Sequence, residues 1–315
     1  MIKRHHHISM YTKDLKKNNH FYTEVLGLRR VKVSVNQNDH SMYHVFYGDT
    51  LGTAGNDITY FDMPYVADRK PGTNAHHALG LLVKDETVFD YWQERLKKFG
   101  FESEKKEYYG RSVLEFRDAD TLKLILFSAE GETLPPEWEP WTNNDIDEEY
   151  LILGMGPVQI NVRDKDKMVD MLTGIFKYDI IEDTREHAIL RAHKNRLTGE
   201  IIICEREGRI EVQGRGTIHH LAVQTDGADL HGVDEMLKAR GYRTTGVIDR
   251  YYFESLYFRE DNGVMFEIVG PDARGFTADT DESELGKKLD LPPALEEKRD
   301  EIESGLTPIS DWTDQ

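Results

Sequence analysis

The 315-residue sequence predicts an α+β protein made of four βαβββ modules, arranged as two paired-module domains. The first reason is that one order of segments recurs four times: a short strand, a helix that begins at an aspartate, and further strand-like segments. The second reason is that a histidine doublet opens the leading strand of three modules, at His6–His7, His76–His77 and His219–His220. Internal repetition of this kind predicts the fold although the copies share little sequence.

The first two modules occupy residues 1–130, the predicted N-terminal domain. Module one comprises the strand HHISMYT, the helix DLKKNNHFYTEVLGL and the strands RRVKVSV, SMYHVFYG and NDITYFDM. Module two comprises HHALGLLV, the helix DETVFDYWQERLKKFGF and, as its last two strands, SVLEFRD and TLKLILF. In that helix, Val88, Tyr91, Trp92 and Leu96 form the apolar stripe that can cover one face of a sheet.

Modules three and four occupy residues 150–275, the predicted C-terminal domain. Module three comprises PVQINV, the helix DKDKMVDMLTGIFKY and the strands HAILRAH and GEIIICE; module four comprises HHLAVQT, the helix DLHGVDEMLKARGY and the strands SLYFRED and GVMFEIV. Residues 131–149, GETLPPEWEPWTNNDIDEE, predict an ordered linker between the domains. Residues 276–315 form an acidic tail in which LPPALEEKRDEIESGLTPI predicts a helix after the prolines, as a lid or an interface element.

Composition restricts the class of protein. A formal net charge of −18 disfavours binding to nucleic acid or to an anionic membrane. No apolar run approaches the length of a transmembrane helix, and the N-terminus has no signal-like apolar core. Cys204 is the single cysteine, which excludes an intrachain disulfide, favours a packing role for the thiol and predicts a cytoplasmic location.

The polar residues of the repeats predict a metal site in the first and last modules. If His220 is the reference, the matching positions are His7, His77 and Val158, and Glu267 on the last strand matches Ile125 and Ile203. Two imidazoles and one carboxylate form a site with open coordination positions, which favours Fe(II), with Mn(II) as a substitute. A closed zinc site would want four protein ligands. The alternative interpretations are a buried salt bridge for Glu267 and satisfied core histidines for His7 and His220, and a structural role is favoured for His77.

These motifs resemble the vicinal oxygen chelate superfamily, which includes glyoxalases, bleomycin resistance proteins and extradiol dioxygenases, and within it the hydroquinone-specific ring-cleaving dioxygenases. The resemblance covers nearly the whole chain and depends on HHIS, GTIHHLAVQ, DRYYFESLYFREDNGVMFEIVG and LPPALEEKRDEIE. It implies the vicinal oxygen chelate fold and a metal triad of His7, His220 and Glu267. It also implies further site residues at His6, His219, Arg250 and Tyr257, and a hydroxyl at Ser9 where relatives often have Thr.

The implied function is an Fe(II)-dependent dioxygenase that inserts O2 into a hydroquinone-type or catechol-type ring. Its partners would be a small aromatic substrate and O2, and the resemblance leaves a homo-oligomer open. The first alternative is a glyoxalase-like metal-dependent lyase or isomerase, which typically needs a second acid from the paired module; Asp62 is too late in its strand for that position. The second alternative is a non-catalytic protein that binds an aromatic compound or an antibiotic.

Overall fold

The computed structural model describes residues 2–192 and 196–313, without the side chains of residues 272 and 273. Elements of the first module, in chain order, are β1 (Ile2–Thr12), α1 (Leu15–His20), β2 (Arg29–Asn36), β3 (Asp39–Gly48) and β4 (Asp57–Asp62). Elements of the second module are β5 (Ala75–Val83), α2 (Phe89–Lys98), β6 (Ser103–Tyr108), β7 (Arg111–Arg117) and β8 (Lys123–Ser128). Both modules therefore have the predicted βαβββ order.

The second half of the chain repeats this order. Elements of the third module are β9 (Gly154–Val162), α3 (Lys165–Gly174), β10 (Asp179–Asp183), β11 (His187–Arg191) and β12 (Glu200–Glu205); the end of the predicted segment HAILRAH, at residue 193, lies outside the described residues. Elements of the fourth module and the tail are β13 (Ile218–Thr225), α4 (Leu230–Ala239), β14 (Ile248–Asp249), β15 (Phe253–Arg259), β16 (Met265–Ala273) and α5 (Arg299–Gly305). The tail helix follows a 3-10 segment, Pro293–Lys298, that begins after Pro292.

The strands form two eight-stranded curled sheets, in the orders β14-β15-β16-β13-β1-β4-β3-β2 and β10-β11-β12-β9-β5-β8-β7-β6. In the first sheet β1 pairs antiparallel with β13, and in the second β5 pairs antiparallel with β9. The first module therefore shares a sheet with the fourth, and the second with the third. The predicted boundary at residues 131–149 separates pairs of modules along the chain, but both sheets combine strands from its two sides.

Each module helix begins at the aspartate that the sequence predicts. The carboxylates of Asp14, Asp164 and Asp229 accept hydrogen bonds from backbone N–H groups in the first turn of α1, α3 and α4. Asp85 does the same for the 3-10 turn that leads into α2. An N-cap acceptor satisfies one of the backbone donors that a helix leaves unpaired, so these residues set where each helix starts.

The helices cover one face of each sheet and leave the opposite, concave face for other residues. Strand residues with the same parity, such as Ile8, Leu221 and Phe266, join one large apolar core that also contains side chains of the helices. Because successive strand residues point to opposite faces, their neighbours line the concave side. Within the described residues, no helix is both long enough and apolar enough to span a membrane.

The C-terminal tail packs on the first module of its own chain. The backbone N–H of Asp290 donates to the carbonyl oxygen of Val33 at 2.8 Å, and Leu289 forms a parallel bridge with Val33. Further along, the Tyr43 hydroxyl donates to the carbonyl oxygen of Thr307 at 2.7 Å. The tail thus runs across β2 and β3, beside the concave face of the first sheet.

Candidate metal centre

Three predicted residues meet on the concave face of the first sheet. His7 is on β1, His220 on β13 and Glu267 on β16, and these three strands are adjacent. Their neighbours Ile8, Leu221 and Phe266 point into the apolar core on the opposite face. The alternation of strand side chains therefore directs all three polar groups to one side.

The three ligand-type atoms lie close enough to hold one ion. The distance from Glu267 Oε2 is 2.9 Å to His7 Nε2 and 3.0 Å to His220 Nε2, and the two Nε2 atoms are 3.3 Å apart. Both carboxylate oxygens of Glu267 are buried, and among the described residues neither has a hydrogen bond of acceptable geometry. Short distances without good hydrogen-bond angles are expected when the lone pairs of Glu267, His7 and His220 all point at one position. This arrangement fits a bound divalent cation better than a salt bridge.

The electrostatics of the cluster match this donor set. Burial acts to raise the pKa of Glu267, but His7 and His220 outweigh it and hold that pKa well below its usual range. Burial lowers the pKa of His220, against the opposing effect of Glu267. An ionised carboxylate with a neutral imidazole is the protonation state that metal binding needs.

Two β-bulges place His6 and His219 beside the central histidines. The pairing of β1 with β13 skips His6 between His5 and His7, and skips His219 between Ile218 and His220. Each bulge residue then contacts its neighbour: His6 Nδ1 lies 2.9 Å from His7 Nδ1, and His219 Nδ1 lies 2.8 Å from His220 Nδ1. If Nδ1–H of each central ring donates to the outer ring, the Nε2 lone pair points at the ion site.

The outer histidines are neutral bases with different access to the site. Burial, with the charge of the adjacent ring, lowers the pKa of both His6 and His219 to about 3. His219 lines the cavity above the cluster, whereas His6 is buried behind His7 and is not part of the cavity wall. Of these two outer histidines, His219 is therefore the one that can contact a molecule in the cavity.

The cavity has a volume of about 610 Å³ and opens above His7 and His220. The first module lines the cavity with apolar side chains and with polar ones such as Lys32, Asn36 and His44, and the fourth module contributes Arg250 and Tyr257. The apolar and aromatic residues of the wall include Met42, Phe46, Phe61, Met63, Phe253 and Phe276. Its size and its aromatic lining suit a substituted ring compound with polar groups near the cluster.

Arg250 and Tyr257 lie side by side in this cavity. The guanidinium carbon of Arg250 is 5.4 Å from the centre of the Tyr257 ring, and the Tyr257 ring is 5.3 Å from that of His220. Burial and the neighbouring Glu267 raise the pKa of Tyr257 well above its ordinary value. Arg250 Nε is buried without a hydrogen-bond partner in residues 2–192 and 196–313, so the hydrogen-bonding capacity of this side chain is not used up within the protein.

Ser9 lines the same cavity and belongs to a hydrogen-bonded chain that the sequence did not predict. Its hydroxyl lies 2.8 Å from Thr59 Oγ1, which lies 2.9 Å from His44 Nε2. His44 stacks on Phe61 with ring centres 4.2 Å apart. The alternation of Met42, His44 and Phe46 in one strand was the signal that could have found His44, because these residues share a face.

Thr59 occupies the position that mirrors Glu267. On β13 and β16, Leu221 pairs with Phe266, which places His220 opposite Met265. Glu267 is therefore two residues beyond the partner of His220. On β1 and β4, His7 pairs with Asp57, so the residue two positions later is Thr59. Asp62 pairs further along, opposite Thr12, as its late position in the strand predicted. The first module therefore provides no carboxylate at the mirrored ligand position.

The second sheet has no histidine or glutamate at the positions that match His7, His220 and Glu267. Two of the residues predicted to match these ligands, Val158 and Ile203, are wrong by one position. Val158 and Ile203 point into the main apolar core, not to the concave face. The concave-face positions are held by Gln159 and Cys204, whose polar atoms are 3.3 Å apart. Cys204 is buried, in agreement with a packing role.

His77 is also one residue away from the position that the alignment of the repeats predicted. The pairing of β5 with β9 skips His77 between His76 and Ala78, so His77 is a bulge residue like His6 and His219. Ala78 then takes the position of His7, and it packs with Ile125 on the concave face. Ile125 is at the position of Glu267, as predicted. A structural role for His77 agrees with this placement.

Comparisons with known proteins agree with this geometry. A Bacillus subtilis (strain 168) protein named as an inferred ring-cleaving dioxygenase, MhqA, is 36% identical over 315 residues, covering 96% of this chain and 98% of that protein. The chlorohydroquinone/hydroquinone 1,2-dioxygenase of Sphingobium indicum is 26% identical over 313 residues, covering 94% of each chain. A crystal structure of an inferred dioxygenase from Bacillus subtilis has a TM-score of 0.89 at 29% identity, covering 98% of this chain and 97% of that chain.

The family model matches both halves of the chain, at residues 4–124 and 154–268. These two stretches cover most of the four modules and include the three clustered side chains. The chain therefore belongs to the Glyoxalase/Bleomycin resistance protein/Dioxygenase superfamily.

Proposed function

We propose that this protein is a ring-cleaving dioxygenase that opens a hydroquinone-type or catechol-type ring with O2. His7, His220 and Glu267 would hold Fe(II), with Mn(II) as a substitute. The observation that carries the proposal is that these three buried groups converge at the base of a cavity lined by aromatic residues. The dioxygenase names of the relatives support an oxidoreductase.

A bound Fe(II) ion supplies the one-electron chemistry that lets O2 react with an aromatic ring. Three protein ligands leave open positions, and the apolar wall formed by Phe46 and Phe61 limits the water that reaches them. The ring would lie against this wall with its reacting hydroxyl towards the histidines.

The chain's own polar groups divide the remaining tasks. His219 would accept the proton that the ring hydroxyl releases, because its imidazole lines the cavity beside His220. Tyr257, protonated at neutral pH, would donate a hydrogen bond to an oxygen of the substrate. Arg250 would stabilise negative charge that develops on the ring, and Ser9 would orient a hydroxyl group or water. His6 would act only through His7.

The glyoxalase-type alternative is weaker because Thr59 stands where the second acid is expected. The non-catalytic alternative is weaker because a binding protein has no need to bury three convergent ligand groups. No observation favours either alternative over the dioxygenase.

The decisive experiment is anaerobic loading with Fe(II), followed by oxygen-uptake assays on a panel of hydroquinones and catechols. A separate assay with methylglyoxal plus thiol tests the glyoxalase-type alternative. We expect stoichiometric oxygen uptake with a hydroquinone and a ring-opened product. Glu267→Gln should abolish tight iron binding and oxygen uptake, whereas the exposed His231→Ala should retain both. An iron-loaded, active Glu267→Gln variant, or turnover of methylglyoxal alone, would contradict the proposal.

A further inference from the structure

Lys32 is a buried lysine in the wall of the aromatic cavity. It lies on β2, its side chain is 1% exposed, and it lines the cavity together with Tyr252 and Phe276. A charged group with so little access to water needs strong partners, since burial of an unpaired ammonium is costly.

The partners of Lys32 come from two distant parts of the chain. Its ammonium donates to the Asp290 carboxylate and to the Tyr252 hydroxyl, and it lies 3.8 Å from Asp279. The Tyr252 hydroxyl also donates to Asp279 at 3.2 Å. Asp279 and Asp290 belong to the C-terminal tail, whereas Tyr252 precedes β15, so one lysine joins the tail, the fourth module and the first module.

The ammonium also faces two aromatic rings that form the outer wall. Lys32 Nζ is 4.0 Å from the centre of the Tyr252 ring and 5.5 Å from that of Phe276. The Phe276 ring lies 5.1 Å from that of Phe46, which lines the cavity from the first module. The position of Phe276 therefore sets how far the cavity extends from the metal cluster.

The backbone of the tail is held against β2 at a point outside the cavity. Arg30 Nε donates to the carbonyl oxygen of Gly286 at 2.8 Å. Gly286 has a φ of +72°, and a Cβ atom at this position would collide with the carbonyl oxygen of Arg30. Only glycine permits this crossing, so the route of the tail is specified independently of Lys32.

We propose that Lys32, through Asp279 and Asp290, fixes the tail as the outer wall of the cavity and so determines the size of the ring substituent that the site accepts. Lys32 acts here as a positioning residue, through Phe276 and Tyr252. The part of the inference that concerns substrates rests on the proposed function.

The test compares Lys32→Met with Lys165→Met. Lys165 is the matched control because its side chain is 5% exposed and bonds to two carboxylates, Asp166 at 2.8 Å and Asp183 at 2.7 Å, in the third module. In Lys32→Met we expect the amide of Asp290 to exchange hydrogen about 10-fold faster. The ratio of kcat/KM for a tert-butyl-substituted over an unsubstituted hydroquinone should rise about 10-fold, mainly through KM. Lys165→Met should change neither quantity.

Gly286→Ala provides a second route to the same state without altering any residue of the cavity wall. It should reproduce the faster exchange and the shift in substrate preference. Gly263→Ala, at φ +87° with open space around the new Cβ, controls for backbone strain alone. If wild-type protein shows no turnover, anaerobic calorimetry with the two hydroquinones measures the same preference as a ratio of dissociation constants. An unchanged preference in Lys32→Met and Gly286→Ala, or exchange at the wild-type rate, would overturn the proposal.

Discussion

At the scale of single residues, the candidate site depends on which ring nitrogen carries the proton. His7 and His220 can present a lone pair to an ion only if the proton sits on Nδ1, and the nearest groups to those atoms are the Nδ1 atoms of His6 and His219. An acceptor at Nδ1 both selects the tautomer and fixes the ring orientation. Each doublet therefore works as a unit in which one imidazole orients the other.

The first prediction concerns His6. His6→Leu should weaken Fe(II) binding by about 10–100-fold, because it removes the acceptor that orients His7. His6 Nε2 has no hydrogen-bond partner among the described residues, so little else is lost. Competition with a chelator under anaerobic conditions measures the affinity. Wild-type affinity in His6→Leu would show that His7 does not need this partner, and His231→Ala controls for the loss of an exposed imidazole.

The second prediction concerns acid stability and His76. The Nε2–H of this ring donates a hydrogen bond at 3.0 Å to the carbonyl oxygen of Met265, and burial lowers the pKa of His76 from 6.5 to about 4. Because the unfolded chain takes up a proton that the folded chain excludes, this residue lowers stability as the pH falls through about 6.5 and towards about 4.

His76→Gln should therefore reduce the loss of unfolding free energy between pH 8 and pH 5 by about 2 kcal/mol. Glutamine retains a donor for the Met265 carbonyl oxygen but cannot titrate. Denaturant unfolding of wild type and variant at the two pH values measures the difference. Parallel pH profiles for the two proteins would refute the assignment of a neutral, buried imidazole.

At the scale of elements, the pairing of β1 with β13 shows which residue mirrors Glu267, and that residue is Thr59, so the site has a single carboxylate. The two strands are related so that His7 mirrors His220, and the same relation takes Glu267 on β16 to Thr59 on β4. A carboxylate in both places would occupy one more coordination position. The hydroxyl of Thr59 instead bonds within the protein, to Ser9 and His44.

The third prediction is that Thr59→Glu adds a fourth ligand. Without metal, the variant should be less stable than wild type because it buries a second carboxylate next to Glu267. With Mn(II) it should bind the ion about 10-fold more tightly or better and lose oxygen uptake, since fewer positions stay open. Melting temperatures with and without Mn(II) measure the effect, and Thr59→Val is the control of similar volume. An unchanged affinity for Mn(II) would show that this side chain does not reach the ion.

At the scale of the whole molecule, the chain closes on itself because its first module joins its last. His7 and His220 are separated by 213 residues, yet β1 and β13 are hydrogen-bonded neighbours. The second and third modules form the other sheet, and the helices of both sheets contribute to one apolar core. Both halves of the chain must therefore be in place before the site exists.

The fourth prediction is that residues 1–149 and 150–315 fold only together. Separately, each fragment would expose the edges of β1 and β5, or of β13 and β9, and should aggregate. Co-expressed, they should form a complex that binds Fe(II) with affinity near that of the intact chain. Circular dichroism and size-exclusion chromatography test this directly. Cooperative unfolding of the isolated 1–149 fragment would contradict it and would support the predicted division into two autonomous domains.

Much of this was accessible from the sequence. The four modules, their capped helices and the convergence of His7, His220 and Glu267 follow from repeated order, from the aspartates before each helix and from the loss of polar residues in the middle modules. The alignment of the repeats misassigned His77, Val158 and Ile203 by one residue, and at His77 the cause is a bulge, which shifts the side chain that faces the concave side. Thr59 escaped notice because its relation to Glu267 depends on the register between β1 and β4, which the sequence does not give.

By itself, the sequence determined the local elements and the residue types at each position, since these depend on hydrophobic periodicity, capping and turn chemistry within a few residues. Only the tertiary structure decided which modules share a sheet, which residue mirrors Glu267 and that the tail forms a wall of the cavity. The physical reason is that these features depend on hydrogen-bonded register and on ion pairs such as Lys32 with Asp290, which join residues up to 258 positions apart.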